Sequence, residues 1–388
     1  MKLITLSAIS IYPIKSTAGI TLSNSWVDDY GLSFDRRFVI TDPTGEFISA
    51  RTEPSLCLIQ ASITPNGLVI TAPGMPLLEI NYKDFSTDYQ PVRVWQDTIN
   101  SLHCAENIDL WFSQYLKRPC KLHFFAHNSS RYVKNSHKEV SFADGYPLLL
   151  ISQASLNDLN HRLDDLAQAK VAMSQFRPNL VVDNTEAFAE DTWRHIRIGE
   201  VEFELVKPCS RCIMTTVDPS TGEKHPKQQP LNTLKEFRQV KSGDVMFGQN
   251  LIALNKGQIH LGDEVTILDS QPSPTFIHKV TKSSVTKQTA PSKKPRRTKR
   301  AVTILFDSWD KQVKGNTKDL ILDQGEQAGL ILPYSCRAGM CGRCKIKVDS
   351  GQVKQLADDG LTEEEKQQGY VLACSAIPES DLILSKPD

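Results

Sequence analysis

No stretch of this 388-residue sequence approaches the roughly 18 consecutive apolar residues that a bilayer-spanning helix needs. The first residues, MKLITLSAISIYP, interrupt their apolar positions with Thr5, Ser7 and Ser10 before Pro13, so neither a secretion signal nor a membrane anchor is expected. There is no GxGxxG element after a strand-like run, which argues against a flavin or nicotinamide domain within the chain. No internal repeat of solenoid length occurs either. Net charge is absent too, since 45 Lys and Arg balance 45 Asp and Glu. A complete disulfide framework is disfavoured by the odd number of cysteines, nine, in a long chain. Such cysteines fit thiolate metal ligation in a reducing compartment, and a cytoplasmic location is expected.

The missing net charge hides a local imbalance. Lys279 to Arg300 holds nine Lys or Arg and no acid, so the remainder is net acidic by nine. A run such as KKPRRTKR can attract nucleic acid or anionic membrane. Here it is flanked by Gln271-Pro272-Ser273-Pro274 and diluted with Thr, Ser and Pro, a composition that cannot bury a core. Residues 269–300 therefore read as a solvated linker, with neither nucleic acid nor membrane as partner. The chain is 40% hydrophobic, enough for two or three cores on either side of that linker.

Before the linker, short β-rich runs are separated by turns. Phe38-Val39-Ile40 and Phe47-Ile48 flank Asp42-Pro43-Thr44-Gly45, and Ile63 and Leu68-Val69-Ile70 flank Pro65-Asn66-Gly67. Pro presets φ, and Gly or Asn tolerates positive φ, so both are hairpin signals. Helical spacing marks Ile108, Trp111 and Tyr115, and again Leu156, Leu159, Leu163 and Leu166 behind a Ser152 N-cap. These stripes read as ordinary core faces. After the linker, Val302 to Phe306 reads as a strand, Thr362-Glu363-Glu364-Glu365 as a capping box, Tyr370 to Ala373 as a strand into Cys374, and Leu382 to Leu384 as a last strand.

Cys336, Cys341 and Cys344 follow C-x4-C-x2-C, with Cys374 beyond a further 29 intervening residues. This is the ligand spacing of a plant-type [2Fe-2S] cluster. Three thiolates within nine residues face one cluster only if the segment wraps as a loop, which Gly339 and Gly342 permit. Zinc also takes four cysteines, but usually from two short CxxC-like units. The domain resembles the plant-type ferredoxins, which implies a β-grasp fold. Asp358, Asp359 and Glu363 to Glu365 form an acidic stretch that suits a basic redox partner, or a solvated helix face.

The second cysteine pair, in Lys207-Pro208-Cys209-Ser210-Arg211-Cys212, is weaker. Soft thiolates beside Arg211 suit a soft or high-valent metal, while buried structural cysteines or a thiol-disulfide pair satisfy the same spacing.

A wider resemblance gives this pair a context. Tyr12-Pro13-Ile14-Lys15-Ser16, Asp35-Arg36-Arg37-Phe38, Phe176-Arg177-Pro178-Asn179, Cys209 to Gly222 and Phe247-Gly248-Gln249-Asn250 together resemble the MOSC proteins of molybdenum cofactor chemistry. With the ferredoxin domain, the chain resembles the bacterial YcbX-type proteins, relatives of the mitochondrial amidoxime-reducing component. The resemblance implies a mainly β fold with α/β elements: a MOSC N-terminal β-barrel over 1–105, a MOSC β-barrel domain over 106–268, the linker, and a ferredoxin domain over 301–388. It implies that Cys212 is the protein ligand to molybdenum beside two pterin dithiolene sulfurs. Cys209 then supports the ligand from behind or is structural. It places Lys15, Ser16, Arg36, Asp144, Arg177, Asn179, Ser210 and Arg211 around the pterin and its phosphate. Family members often carry Trp where Phe38 stands, a change of packing.

The implied activity is reduction of N-hydroxylated bases and xenobiotics to amines at a molybdenum-molybdopterin centre. Electrons would come from an external flavoprotein reductase through the built-in [2Fe-2S] cluster. Asp218 lies near Cys212 but in a Val-Asp-Pro-Ser-Thr-Gly turn, where Asp is usually structural. Two rivals remain at this level. One is a MOSC sulfur carrier using a Cys212 persulfide, and the other is a pure electron-transfer module.

Overall fold

The computed structural model describes residues 3–277, 300–330, 332–334, 342–358 and 360–387. Most of the basic run, together with Cys336, Arg337, Gly339, Cys341 and Asp359, lies outside the described residues. The chain divides into two compact units, Met1–Thr233 with Met246–Pro274, and Leu234–Val245 with Thr275–Asp388.

The first unit is built on an eight-stranded sheet. Its spatial order is Ile20–Leu22, Thr5–Ile11, Leu180–Asp183, Leu148–Ser152, Met246–Ala253, Val201–Ser210, Trp193–Ile198 and Val265–Ser270. All neighbours are antiparallel except Leu148–Ser152 beside Leu180–Asp183. A parallel pair requires a crossover, and the helix Gln153–Asp165 supplies it. The Ser152 side chain caps this helix by accepting from the Ser155 N–H at 3.1 Å. The helix ends one residue before Leu166, which is exposed, so the apolar stripe stops at Leu163. The two sheet edges meet: the Leu6 N–H donates to the Asp263 carbonyl and the Val265 N–H to the Ile4 carbonyl, each at 2.9 Å. Edge donors are thereby paired rather than exposed.

A four-stranded antiparallel sheet, Phe38–Thr41, Lys121–Phe124, Asp97–His103 and Tyr89–Val94, belongs to the same unit. So does the three-stranded sheet Gln60–Thr64, Gly67–Thr71 and Leu78–Asn81, whose first hairpin turns at Pro65-Asn66 as expected. The helix Glu106–Leu116 buries Ile108, Trp111, Phe112 and Leu116 against a core that includes Ile14, Phe38 and Leu122. A fully buried side chain of this size contributes about 1.5–3 kcal/mol. The other large core lies under the eight-stranded sheet and includes Leu6, Ile9, Leu150, Val182, Phe203 and Leu251. Along Thr5–Ile11 and Trp193–Ile198 a register irregularity sets Leu6 and Ile9, and Trp193 and Ile196, three positions apart before alternation resumes at Ile11 and Ile198, so that all six face inward.

In the second unit a mixed five-stranded sheet runs Lys311–Asn316, Ala301–Phe306, Leu382–Ser385, Lys345–Ser350 and Tyr370–Leu372. It is parallel only between Ala301–Phe306 and Leu382–Ser385. Ile321 and Leu322 of the helix Ile321–Gln327 join its core with Ile304, Phe306 and Leu384. One helix held by a mixed sheet is the expected β-grasp arrangement. Thr362 and Glu365 form the reciprocal capping box that starts Glu363–Gln367.

Candidate functional site

Backbone hydrogen bonds join the sequence motifs of the first unit. After the strand Thr5–Ile11, the Tyr12 N–H donates to Asp35 Oδ1 at 2.8 Å, the Arg36 N–H to the Tyr12 carbonyl at 2.9 Å, and the Lys15 N–H to the Phe38 carbonyl at 2.8 Å. Asn179 ties in a third segment. Its Oδ1 accepts from the Leu149 N–H at 3.2 Å and its Nδ2 donates to the Ser10 carbonyl at 3.1 Å. The Asn179 side chain is thus spent on the joint between strands.

One cleft results, about 900 Å3 including the part open to solvent, and Lys15, Ser16, Arg36, Asp144, Arg177, Asn179, Ser210, Arg211 and Cys212 all line it. That size is within the range of small-molecule sites. Arg211 is buried, its Nε donating to the Phe247 carbonyl at 2.7 Å and its Nη1 to the Phe176 carbonyl at 3.0 Å. Its Nη2 has no hydrogen-bond partner among the described residues. Cys212 is half-buried at the start of the single 3-10 turn Ile213–Thr216, and its carbonyl accepts from the Thr215 hydroxyl at 2.9 Å. Cys209, three residues back on the end of Val201–Ser210, also lines the cleft, and burial pushes its thiol pKa up.

The cleft is rich in cations. Lys15 is buried, donating to the Phe142 carbonyl at 2.8 Å and pairing with Asp144. Burial pulls the Lys15 ammonium down to about 8, against the opposing pull of Asp144. Asp144 remains 62% exposed to the cleft. Burial raises its pKa, but Lys15, Arg51 and the Trp95 indole N–H outweigh that and hold the carboxyl well below the usual range. Asp35 is consumed by Arg36, 2.5 Å away. Among the described residues, five basic side chains, Lys15, Arg36, Arg51, Arg177 and Arg211, therefore face the cleft, with Asp144 as the one carboxylate lining it.

Backbone strain gathers at the same place. Ser16, Arg36, Trp95 and Arg177 all have left-handed backbone, with φ of 74°, 48°, 59° and 56°. Such conformations cost about 1–3 kcal/mol each in non-glycine residues and persist where the surroundings impose them.

Residues 3–119 match the MOSC N-terminal beta barrel domain, residues 137–266 the MOSC domain, and residues 307–379 the 2Fe-2S iron-sulfur cluster binding domain. Mitochondrial amidoxime reducing component 2 of Rattus norvegicus is 37% identical over 285 residues, covering 67% of this chain and 82% of the relative. The chain belongs to the MOSC-domain family of amidoxime-reducing components. Mitochondrial amidoxime-reducing component 1 of Homo sapiens is 34% identical over 284 residues, covering 68% of this chain and 83% of that one. The Molybdenum cofactor sulfurase of Homo sapiens is 32% identical over 263 residues, but the match takes in 29% of that protein and 62% of this chain. This member of the amidoxime-reducing family is an oxidoreductase with its own 2Fe-2S domain. Among the described residues, no helix is long and apolar enough to cross a membrane.

The iron-sulfur end of this family member is described in half. Cys344 and Cys374 are buried in the core of the second unit, and the Cys374 N–H donates to Cys344 Sγ at 3.4 Å. Cys344 directly precedes Lys345–Ser350 and Cys374 lies in the 3-10 turn Ala373–Ser375 that follows Tyr370–Leu372, and these two strands pair Lys345 with Leu372. Gly342 has φ of 70°, and a Cβ there would lie 2.6 Å from the Gly360 carbonyl oxygen, so glycine is required at this bend.

Sequence reasoning missed three residues of the cleft region. Arg51 places its guanidinium 4.2 Å from the Trp95 ring centroid and 3.8 Å from Asp144. Trp95 donates to Asp144 at 3.1 Å. Buried Arg131 holds the loop before the cleft, donating to the Ser141, Ala143 and Asp144 carbonyls and pairing with Asp97. No motif surrounds any of them in sequence. The one available signal was an unexplained Arg at position 51 just after the hairpin strand signal Phe47-Ile48. Asp218, by contrast, closes its own turn by accepting from the Ser220 N–H and hydroxyl at 2.8 and 2.6 Å, the structural role expected.

Proposed function

We propose that the cleft holds a molybdenum cofactor, with Cys212 as the protein ligand, and that the chain reduces small N-hydroxylated compounds, base analogues and xenobiotics among them, to amines. An external flavoprotein reductase supplies electrons through the 2Fe-2S domain. The observation that carries this reading is the convergence of five buried or half-buried cations and the Cys212 thiol on one cleft of a redox protein. The donor set fits such a group. Arg211 Nη2 is a buried cationic donor with a valence to fill, and the surplus of positive charge suits an anionic pterin phosphate. A half-buried thiolate suits a high-valent metal with sulfur ligands.

When bound, the cofactor supplies the two-electron chemistry. Overall, R-NHOH with two protons and two electrons becomes R-NH2 and water. A [2Fe-2S] centre passes one electron at a time, so each turnover draws on it twice. The residues of the chain bind and orient. Arg36, Arg177 and Arg211 grip the anionic end of the cofactor, Lys15 and Asp144 neutralise each other at the rim, and Cys212 fixes the metal end. Asp144 is held ionised and therefore accepts hydrogen bonds at neutral pH.

The test is to purify the protein anaerobically from cells that make molybdenum cofactor and to measure metals in wild type and Cys212→Ser. About one molybdenum and two irons per chain are expected, with molybdenum weakened or lost in the variant, along with reduction of an amidoxime by the wild type. Iron without molybdenum, reproducibly, would sink the reading.

A further inference from the structure

Two cations of the cleft share one aromatic ring. The guanidinium carbon of Arg36 lies 4.2 Å from the Tyr12 ring centroid and that of Arg177 lies 4.1 Å from it. Both distances are within the range in which a ring attracts a cation through its quadrupole. The ring is fixed from several sides. It is 3% exposed, its hydroxyl donates to the Pro178 carbonyl at 3.2 Å, and its backbone N–H donates to Asp35. Gly19 sets the remaining wall, because a Cβ there would approach Tyr12 Cε1 to 2.6 Å. Gly19 is not at positive φ, so its lack of a side chain answers to the ring and not to its own backbone.

The two arginines are also linked directly. Arg36 Nη2 donates to the Arg177 carbonyl at 3.2 Å, and Arg177 Nη1 donates to the Thr17 carbonyl at 2.5 Å. Asp35, the nearby carboxylate, is committed to Arg36. The two like charges repel, Arg36 being among the groups that lower the Arg177 pKa, and each arginine sits on left-handed backbone. The Tyr12 ring gives both guanidiniums a favourable surface.

We propose that Tyr12 is a positioning residue that holds the Arg36 and Arg177 guanidiniums together at the cleft, so that one anionic group, the phosphate-bearing end of the cofactor, meets both. This rests on the reading of the cleft given above. The ring acts through the arginines and touches no reacting atom. Its hydroxyl contributes an anchor to Pro178, while the aromatic face carries the function.

The experiment uses the loaded protein and follows the release of molybdopterin after dilution, by fluorescence of the oxidised pterin, with melting temperature recorded on the same samples. Tyr12→Phe keeps the face and should release cofactor within about twofold of wild type, whereas Tyr12→Leu should release it about tenfold faster or more. Gly19→Ala keeps the tyrosine but pushes the fixed ring, and should accelerate release by about fivefold, with a fall in melting temperature of a few degrees recorded beside it. If Tyr12→Leu does not fold, Gly19→Ala decides. Release at the wild-type rate from both Tyr12→Leu and Gly19→Ala would overturn the proposal, and so would a Tyr12→Phe variant as leaky as Tyr12→Leu. A wild-type protein purified without pterin has a different meaning: it removes the reading of the cleft itself, and this inference with it.

Discussion

The backbone N–H of Cys374 points at Cys344 Sγ, 3.4 Å away across thirty residues of sequence. Strand pairing between Lys345–Ser350 and Tyr370–Leu372 creates that approach, so the protein scaffold brings the third and fourth cysteines of the C-x4-C-x2-C set together. An N–H donor to sulfur also stabilises a thiolate and tunes an iron-sulfur centre.

Cys374→Ala should therefore reduce iron well below about two per chain and bleach the visible absorption of the cluster. Molybdenum content should stay near wild type, because Cys374 is remote in sequence from every residue of the cleft. Activity driven by a flavoprotein reductase should disappear, while activity driven by a small chemical reductant that reaches the cleft should survive. Loss of both activities with molybdenum retained would argue against the cluster as the entry point for electrons.

His123 gives the first unit a pH dependence. The ring is buried, neither nitrogen has a hydrogen-bond partner among the described residues, and burial, with the neighbouring His103 and Lys121, pulls its pKa to about 3 from an ordinary 6.5. The unfolded chain takes up a proton below pH 6.5 and the folded chain does not, so stability is full above 6.5 and falls as pH drops towards 3. Between pH 7.5 and 5 the loss from this group is about 2 kcal/mol. Urea unfolding of wild type and His123→Phe at both pH values should show a shallower slope in the variant by that amount.

Gly248, in the Phe247 to Asn250 segment, has φ of 78°, and a Cβ there would meet Ile151 Cγ1 at 2.6 Å and the Leu150 carbonyl oxygen at 2.8 Å. Gly248→Ala should cost about 2 kcal/mol or more, since both the backbone conformation and the space reject it. Because the preceding carbonyl, that of Phe247, holds Arg211 Nε, cofactor content should fall with it.

Arg211→Lys should keep the charge but lose the planar fork that spans the Phe247 and Phe176 carbonyls and leaves Nη2 for a ligand. Cofactor affinity should weaken by about tenfold or more, measured as molybdenum per chain after gel filtration, with melting temperature nearly unchanged.

Local chemistry was what the sequence displayed best. The Pro65-Asn66 turn, the Ser152 cap and the Thr362/Glu365 capping box depend on residues within a few positions of one another, and all form as read. Eight of the nine expected cleft residues sit in short sequence motifs, and the ninth, Asp144, is held by Lys15 and by Arg131 on its loop. Arg51, Trp95 and Arg131 were illegible for the opposite reason. Their partners are Asp144, the Ser141 to Asp144 loop and Asp97, and nothing at positions 51, 95 or 131 announces those encounters. Leu166 kept the helical period but fell past the last turn, where the chain curls back and the Leu166 N–H donates to the Leu163 carbonyl.

The seam between the two edges of the large sheet also governs the order of events in the life of the chain. Leu6 waits for Asp263 and Ile4 for Val265, so the first strand of the unit is completed by one of its last. Contacts so far apart in sequence form slowly. Phe247, which steadies Arg211, and Asn250, which lines the cleft, also arrive late in synthesis. A growing chain thus holds no finished cleft until most of the first unit has been made, so on the function proposed above a cofactor would be loaded after that point and not before it.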